Sequence, residues 1–289
     1  MATETASFGA GKRESHDATA FYRRRMMSGA PQVLPGVPVA PPSEVIDRLF
    51  LTSSESMVEI PDDCVALMVT SPPYNVGKEY DADLSLDEYL GLLRRVLVET
   101  YRVLEPGGRV AINVANLGRK PYLALNHRVA GLLEEVGFLL RGEIVWQKAR
   151  GAGGSCAWGS WRSAKNPTLR DLHEYVIVAS KGSYRRERIG EDTISRDEFL
   201  DATVSVWNIA PASARRIGHP APFPVELPRR LIELYTFRGD LVLDPFIGAG
   251  STAVAAVESG RHYAGYDIEE RYLEIARERI AVSRSVPRG

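Results

Sequence analysis

Hydrophobic and polar positions follow two different periods along this chain, because short apolar runs are followed by segments with a helical repeat. The runs Cys64 to Val69 and Leu241 to Leu243 are apolar throughout, as is typical of strands buried on both faces of a sheet. From Leu49 onward such runs alternate with helical segments, and this order predicts a parallel sheet with right-handed crossovers. We therefore expect an α/β fold.

Capping and breaking residues set the predicted element boundaries. Ser85 and Glu88 form a capping box at the start of a helix, and Pro106-Gly107-Gly108 ends that helix. A second helix over residues 122–136 is closed by Gly137 and leads into a strand over 138–147. The remaining predicted elements are strands at 109–114, 173–180, 241–244 and 263–267, helices at 224–235 and 251–259, and a last helix after residue 267.

Two regions depart from this alternation. Residues 1–43 are rich in Ala, Ser, Gly and Pro, which predicts a flexible extension with a Pro-rich linker. Residues 151–216 begin with a Gly-rich loop that carries Trp158 and Trp161, and they return to the core with one strand near 173–180. Tryptophans in such a loop either bind a partner or cover the edge of the core.

Charge is balanced over the whole chain but not along it. The 289 residues carry a net charge of -1, so the molecule as a whole has no attraction for nucleic acid. Between Arg141 and Arg188, however, ten Lys or Arg stand against four Asp or Glu. This segment is therefore the candidate nucleic-acid surface.

Cysteine usage and hydropathy exclude several classes of protein. Cys64 and Cys156 have no Cys or His partners at metal-ligand spacing, so we expect neither a disulfide nor a zinc site. No apolar run approaches the roughly 20 residues that cross a bilayer, and the N-terminus lacks the apolar core of a secretory signal. We expect a cytoplasmic protein with no membrane partner.

A glycine-rich turn follows the second apolar run, in the sequence Asp244-Pro245-Phe246-Ile247-Gly248-Ala249-Gly250-Ser251-Thr252. Its glycines allow a sharp turn and a close approach of the backbone to a ligand. Asp267 ends the next predicted strand, where a carboxylate can accept hydrogen bonds from ribose hydroxyls. Asp267 could also cap the helix that follows, and the two roles are compatible.

The first apolar run leads into Thr70-Ser71-Pro72-Pro73-Tyr74. Consecutive prolines have no N–H groups and fixed torsions, so carbonyls there can point into a pocket. Ser71 Oγ and the Pro72 carbonyl could accept both N–H groups of an exocyclic amine and free its lone pair to attack a methyl group. Tyr74 would stack on the aromatic ring that carries this amine. The same residues would also suit an ordinary turn.

These two motifs, in this order, resemble the β class of amino-group DNA methyltransferases, and the resemblance covers nearly everything after residue 44. It implies a Rossmann-like S-adenosylmethionine-dependent methyltransferase sheet, mostly parallel, with an inserted target-recognition region. The implied regions are the extension 1–43, a catalytic half 44–150, the target-recognition region 151–216 and an S-adenosylmethionine-binding half 217–289.

The resemblance also implies which residues bind S-adenosylmethionine, the methyl donor, with no metal involved. Relatives often have Gly-Asp where this chain has Thr52-Ser53, so Ser53 is the candidate partner of the adenine ring of the donor. The other implied donor-binding residues are Asp244, Phe246, Gly248, Gly250, Thr252, Asp267 and, in a Pro-rich segment, His219.

The catalytic residues implied are Ser71, Pro72, Pro73 and Tyr74. In this family Ser-Pro-Pro-Tyr usually accompanies cytosine N4 and Asp-Pro-Pro-Tyr adenine N6, so we expect cytosine N4 in double-stranded DNA, with the base flipped out of the duplex. A cognate restriction endonuclease and a second copy of the chain are further candidate partners. The residues expected to contact DNA are Trp158, Trp161, Arg162, Lys165, Arg185, Arg186 and Arg215.

Three other functions stay open at this point. Adenine N6 methylation is the alternative within the class. An RNA or protein-glutamine methyltransferase is the second, and a DNA-binding protein without activity is the third. Attack through a thiolate is not expected, because neither cysteine follows a proline as in the ring-carbon cytosine methyltransferases.

Overall fold

The computed structural model describes residues 36–73, 84–118, 121–148, 159–212 and 223–285. Its strands are β1 (Arg48–Leu51), β2 (Val65–Thr70), β3 (Leu104–Val114), β4 (Phe138–Gln147), β5 (His173–Lys181), β6 (Val206–Asn208), β7 (Leu241–Asp244) and β8 (His262–Asp267). Its helices are α1 (Leu86–Val103), α2 (Leu125–Val136), α3 (Arg196–Ala202), α4 (Glu226–Tyr235), α5 (Ser251–Glu258) and α6 (Glu270–Ser285).

The eight strands form one sheet in the order β1-β8-β7-β2-β3-β5-β4-β6. Strand β5 runs antiparallel to both of its neighbours, β3 and β4. Every other adjacent pair of these strands is parallel. The predicted α/β fold with a mostly parallel sheet is therefore confirmed, and the reversal of β5 is the feature that the sequence pattern did not predict.

The core lies in two layers, one on each face of the sheet. In β2 all six residues are buried, and alternate side chains enter opposite layers: Met68 packs with α1 and α2, whereas Leu67 and Val69 pack with α4 and α5. This burial on both faces is the reason that the strand has no polar period. A continuous apolar run thus correctly predicted a central strand.

Several element boundaries agree with the capping signals. The Ser85 hydroxyl accepts the Glu88 N–H, the Glu88 carboxylate returns to the Ser85 backbone, and α1 begins one residue later. Helix α2 ends at Gly137, whose φ of 108° suits a residue without a side chain. Its start is at Leu125 instead of 122, because Leu117 and Leu123 exchange two backbone hydrogen bonds before the helix.

Strand β3 begins five residues before its predicted start. The sequence Pro106-Gly107-Gly108 lies within the strand, where the pairing with β2 shifts register between Val65 and Leu67. Gly107 has a φ of 76°, so this stretch is an irregularity of the strand and not the helix-to-strand loop that we expected. Helix α3 and strand β6, inside residues 151–216, were also not predicted.

The chain diverges at the two strands that carry the motifs. From β7 it continues through α5 to β8 on one side, and from β2 through α1 to β3 on the other. Such a reversal of strand order opens a crevice at the carboxyl ends of the strands, where α/β sheets bind ligands. The carboxyl edge between β7 and β2 is thus the expected place for a site. None of the described helices is long and apolar enough to span a bilayer.

Candidate functional site

The two motifs meet at the carboxyl edge through a buried carboxylate. Thr70 Oγ1, at the end of β2, donates to Asp244 Oδ1 at 2.6 Å, and Thr252 Oγ1, in α5, donates to Asp244 Oδ2 at 2.6 Å. The backbone N–H of Phe246 donates to the same carboxylate at 3.1 Å. Asp244 therefore joins the first motif, the glycine-rich turn and the helix after it.

Burial raises the pKa of Asp244 to about 6, and the hydrogen bonds from Thr252 and Thr70 oppose that shift. Asp244 and Thr252 are each only 1% exposed. Both side chains lie behind the turn and are occupied with each other. Their position suits a role in holding the turn, while a direct contact with the donor stays a prediction.

Asp267 holds the turn from the neighbouring strand. Its Oδ2 accepts the Gly248 N–H at 2.9 Å, and its Oδ1 accepts the Glu269 N–H at 2.8 Å, just before α6. Burial raises the pKa of this carboxyl group as well. Each oxygen keeps a further lone pair. Asp267 thus holds both the turn and the residue just before α6, and a ribose contact remains compatible with these two bonds.

The turn itself requires glycine. Gly248 and Gly250 have φ values of 47° and 77°, a region that side chains disfavour. A Cβ on Gly250 would also lie 2.8 Å from the Ala276 Cβ in α6. Phe246 lines a small apolar hollow between the turn and α1, together with Thr70 and Pro72. A glycine turn that a ligand can approach closely, with a carboxylate beside it, fits a nucleoside ligand.

Ser53 lies beyond β1, the strand that pairs with β8 in the register Leu51 to Asp267. Its hydroxyl donates to Glu55 Oε1 at 3.1 Å. Ser53 thus lies at the same edge as Asp267, with its hydroxyl hydrogen bonded to a neighbouring carboxylate. Its contact with the adenine ring stays a prediction. His219 lies outside the described residues, and the Phe223 carbonyl that follows it accepts a hydrogen bond from the Ser251 hydroxyl at 3.0 Å.

Ser71 directly follows β2 and lies beside β3. Asn113 Nδ2 approaches Ser71 Oγ at 3.4 Å and donates to Glu174 Oε2, on β5, at 2.7 Å. Glu174 in turn forms an ion pair with Lys148, at the end of β4. Pro72 is buried and Pro73 is half-buried, while Tyr74 lies outside the described residues.

Asn113, Glu174 and Lys148 were not predicted from the sequence. Each lies in or beside an ordinary strand and belongs to no motif. Only the order β2, β3, β5, β4 brings them into one line that leads to Ser71. The one available sign was a polar residue next to an apolar run in each of two strands: Asn113 follows Val110 to Ile112, and Glu174 precedes Tyr175 to Ala179.

Three of the predicted DNA contacts are exposed in the segment before β5, a strand that begins at this edge of the sheet. The segment that leads into β5 carries Trp161, which is 67% exposed, and the exposed cations Arg162 and Lys165. A backbone bond from Ser160 N to Asn166 O at 2.9 Å closes the segment into a turn. Trp158 and Arg215 lie outside the described residues.

Arg185 and Arg186 lie at the opposite edge, and this corrects the expectation that they share a surface with Trp161. They follow β5, which is antiparallel and nine residues long. The length of this strand separates them from its start, at the carboxyl edge, by roughly 30 Å. Arg186 is enclosed there: its side chain is 7% exposed and pairs with Glu105 at 2.5 Å and Asp240 at 2.8 Å. Its guanidinium stabilises the fold and is not available to phosphate.

Metal and thiol chemistry have no candidate residues in the described part of the chain. Within those ranges, no group of three or more His, Cys, Asp or Glu is arranged to hold a metal ion. Cys64 is buried before β2, and burial raises the pKa of its thiol to about 11, which disfavours the nucleophilic thiolate. Cys156 lies outside the described residues.

Comparison with known proteins relates this arrangement to DNA methylases. The family model described as DNA methylase, of the N6 and N4 type, matches residues 65–278. The chain is 30% identical over 274 residues to the Type II methyltransferase M.MthZI of Methanothermobacter thermautotrophicus, covering 81% of this chain and 76% of that protein.

Solved structures agree with the fold. A protein of Thermus thermophilus described as a DNA modification methylase, in complex with S-adenosyl-L-methionine, superposes with a TM-score of 0.68 at 26% identity, covering 82% of this chain and 95% of that one. The cytosine-N4-specific PvuII DNA methyltransferase superposes with a TM-score of 0.64 over 80% of this chain and 85% of its own, and at 20% identity it shows the fold alone.

Proposed function

Since this chain belongs to the N6/N4 DNA methylase family and uses S-adenosylmethionine as its methyl donor, we propose that it methylates the exocyclic N4 amine of cytosine in a specific sequence of double-stranded DNA. The observation that carries this proposal is the junction of Ser71 with the donor turn. Thr70, the residue before Ser71, is hydrogen bonded to Asp244, the residue that begins the turn. Donor and amine would therefore meet at adjacent strand ends.

The donor half of the site supplies shape and charge. S-adenosylmethionine, when bound, provides a methyl group activated on a sulfonium sulfur. Gly248 and Gly250 allow the sharp turn that brings the backbone to the donor, and Asp267 offers its remaining lone pairs to ribose hydroxyls. The Asp244 and Asp267 carboxylates also place negative charge near a cationic ligand, which favours its binding.

The catalytic half holds the amine. Ser71 Oγ and the Pro72 carbonyl accept its N–H groups, so that the lone pair leaves the plane of the ring and becomes nucleophilic. As the lone pair bonds to the methyl carbon, the bond from that carbon to the donor sulfur breaks, and the methylated amine releases one N–H proton to water. No charge needs to be created on the protein for this, so positioning and fixed dipoles supply the rate. Pro72 is buried against the hollow lined by Phe246, which fixes the position of its carbonyl relative to the donor turn.

Cytosine is favoured over adenine by the identity of residue 71. A serine at this position accompanies cytosine N4 in the resemblance that led to the family, whereas an aspartate accompanies adenine N6. Both bases present an amine beside a ring nitrogen, so adenine N6 is the alternative outcome of the experiment.

DNA would be read by the exposed segment before β5. Trp161, Arg162 and Lys165 are exposed in the segment that leads into β5, and β5 begins at the carboxyl edge, where a flipped base must enter. The relatives named above are Type II methyltransferases or DNA modification methylases, so we propose a role in restriction and modification, with an endonuclease of the same specificity as partner.

The test is to incubate the protein with methyl-labelled S-adenosylmethionine and, in parallel reactions, with duplex DNA of mixed sequence, RNA or protein, and to digest the nucleic acids to nucleosides. We expect labelled N4-methyldeoxycytidine, and much slower formation of it in a parallel reaction with Ser71→Ala. Label in N6-methyldeoxyadenosine would reassign the base while keeping the enzyme class. Label in RNA or in protein, with none in duplex DNA, would overturn the proposal.

A further inference from the structure

A line of polar side chains crosses three strands behind Ser71. Asn113 lies on β3, Glu174 on β5 and Lys148 at the end of β4. Asn113 and Glu174 are 1% and 8% exposed, so this is polar chemistry inside the sheet and not a surface ion pair. Burying a carboxylate is costly unless it is paired and hydrogen bonded, and here Lys148 and Asn113 supply both partners.

The carboxylate determines which way the Asn113 amide faces. An ionised carboxylate only accepts hydrogen bonds, so the amide nitrogen of Asn113 must be the atom that faces Glu174, at 2.7 Å. The same nitrogen approaches Ser71 Oγ at 3.4 Å, so its second N–H points to the serine oxygen. With this amide orientation, Ser71 accepts from Asn113 and directs its own hydroxyl hydrogen elsewhere.

Lys148 connects this line to the surface. Its ammonium is held between Glu174 and the face of Trp146, 5.2 Å from the ring centroid, and its side chain is 29% exposed. It is the last described residue before 149–158, the stretch that leads toward Trp161. The charge of Glu174 is thus balanced by a cation that is partly exposed to solvent.

We propose that Glu174 is a positioning residue for methyl transfer: through Asn113 it fixes the hydroxyl of Ser71 in a single orientation, and Lys148 neutralises its buried charge. The proposal rests on the proposed role of Ser71 as the acceptor of the target amine. A fixed hydroxyl needs no reorganisation when the base enters, which is the source of electrostatic catalysis. Without Glu174 the Asn113 amide can turn over, and the Ser71 hydroxyl can then donate to the amide oxygen instead.

The experiment is a double-mutant cycle on the single-turnover rate of DNA methylation. Glu174→Gln keeps the shape of the side chain but can donate as well as accept. We expect it to slow methyl transfer about 10- to 100-fold, the effect typical of removing a group that orients a functional side chain. The affinity for S-adenosylmethionine, measured by calorimetry, should stay within about twofold because Glu174 does not touch the donor turn.

The decisive readout is the effect of Glu174→Gln in two other backgrounds. If Glu174 acts through Asn113 on Ser71, the substitution slows the reaction no further once Ser71→Ala is present. Glu174→Gln should also cause no further slowing in an Asn113→Leu background. This second background serves if Ser71→Ala is too slow to measure. An equal slowing in wild-type, Ser71→Ala and Asn113→Leu backgrounds would overturn the proposal.

A control and a separate outcome keep the two proposals apart. Asp63→Asn removes the carboxylate that pairs with Lys181 at 2.6 Å, at the other end of the same strand, and should leave the rate unchanged. If Ser71→Ala itself methylates at the wild-type rate, the role of Ser71 fails first. If Ser71→Ala is slow but Glu174→Gln is fast, only the positioning role of Glu174 fails.

Discussion

Thr70 Oγ1 donates a 2.6 Å hydrogen bond to Asp244 Oδ1 across 174 positions of sequence. This bond fixes the start of the catalytic motif to the start of the donor-binding turn, inside a part of the sheet from which water is excluded. β2 and β7 are adjacent and parallel with Met68 paired to Leu243, so each strand places a buried polar group within two residues of that pair. Donor binding and DNA binding should both depend on this junction and on the edge of the sheet at which it lies.

The Asp244 carboxyl should make stability depend on pH. Burial raises its pKa from 3.8 to about 6. The contribution of this group to the free energy of unfolding is therefore fully present below about pH 4 and is lost as the pH rises through about 6. Asp244→Asn removes this loss, so the variant should gain stability relative to wild type across that window, by on the order of 3 kcal/mol. Urea unfolding at several pH values measures this difference.

Thr252→Val provides a second arm of the same measurement. Its hydroxyl favours the ionised form of Asp244, so removing the hydroxyl should raise the pKa further and move the window to higher pH. A difference in the free energy of unfolding between wild type and Asp244→Asn that stays constant from pH 4 to pH 7 would contradict the raised pKa of Asp244.

Asp267→Ala should weaken binding of S-adenosylmethionine. Removing a carboxylate that accepts two ribose hydrogen bonds costs roughly 1.5–3 kcal/mol, or about 10- to 100-fold in Kd. Because the pKa of Asp267 is raised by burial, acid should weaken binding by wild type more than by Asp267→Asn. Calorimetry measures both effects, and the exposed Asp197→Ala in α3 is the control. Unchanged affinity in Asp267→Ala would remove this residue from the donor site.

Gly250→Ala should lower stability and donor affinity more than Gly239→Ala. Both glycines have a φ of 77°, so both variants bear the same backbone strain, about 1 kcal/mol or more. Only at Gly250 does the added Cβ meet another atom, Ala276 Cβ at 2.8 Å, whereas nothing lies within 4 Å at Gly239. Measuring the Tm of each variant with and without S-adenosylmethionine separates the backbone strain, which both variants share, from the contact with Ala276, which only Gly250→Ala makes. Equal decreases in Tm for the two variants would show that the turn relaxes around the added Cβ.

Replacing Arg162 and Lys165 with Gln should flatten the salt dependence of DNA binding. Each cation removed from a phosphate reduces the slope of log K against log salt by about 0.9, so the slope of the double variant should fall by up to about 2. Arg185→Gln, which changes an exposed cation at the opposite edge, should leave the slope unchanged. Titrations of a duplex at four salt concentrations give the slopes. A slope that falls for Arg185→Gln but not for the double variant would show that DNA binds at the opposite edge.

Arg186→Met should unfold more easily and still bind DNA with the same salt dependence. It leaves Glu105, which is 1% exposed, and Asp240 without their shared cation. Breaking such a buried pair costs about 3–5 kcal/mol, and Arg188, which also pairs with Glu105, should reduce that cost. Denaturant unfolding against Arg196→Met, an exposed cation, provides the comparison. A stable variant with weakened DNA binding would restore Arg186 to the DNA surface.

Most strands and helices, and both motifs, could be predicted from the amino-acid sequence alone. Buried central strands are apolar on both faces, and helix ends carry caps such as Ser85 and Gly137, so these signals are local. The glycines of the turn and the prolines after Ser71 are constrained by backbone geometry at their own positions. For the same reason the family resemblance could be read from two short segments.

Which residues act together across strands became visible only in the folded chain. The reversal of β5 sends Arg185 and Arg186 to the edge away from Ser71 and brings Glu174 next to Asn113. Direction and order of strands depend on long-range pairing, and the apolar run Val176 to Ala179 inside β5 is consistent with either direction. The charge of the basic segment was therefore visible in the sequence, but the division of that charge between two edges of the sheet was not.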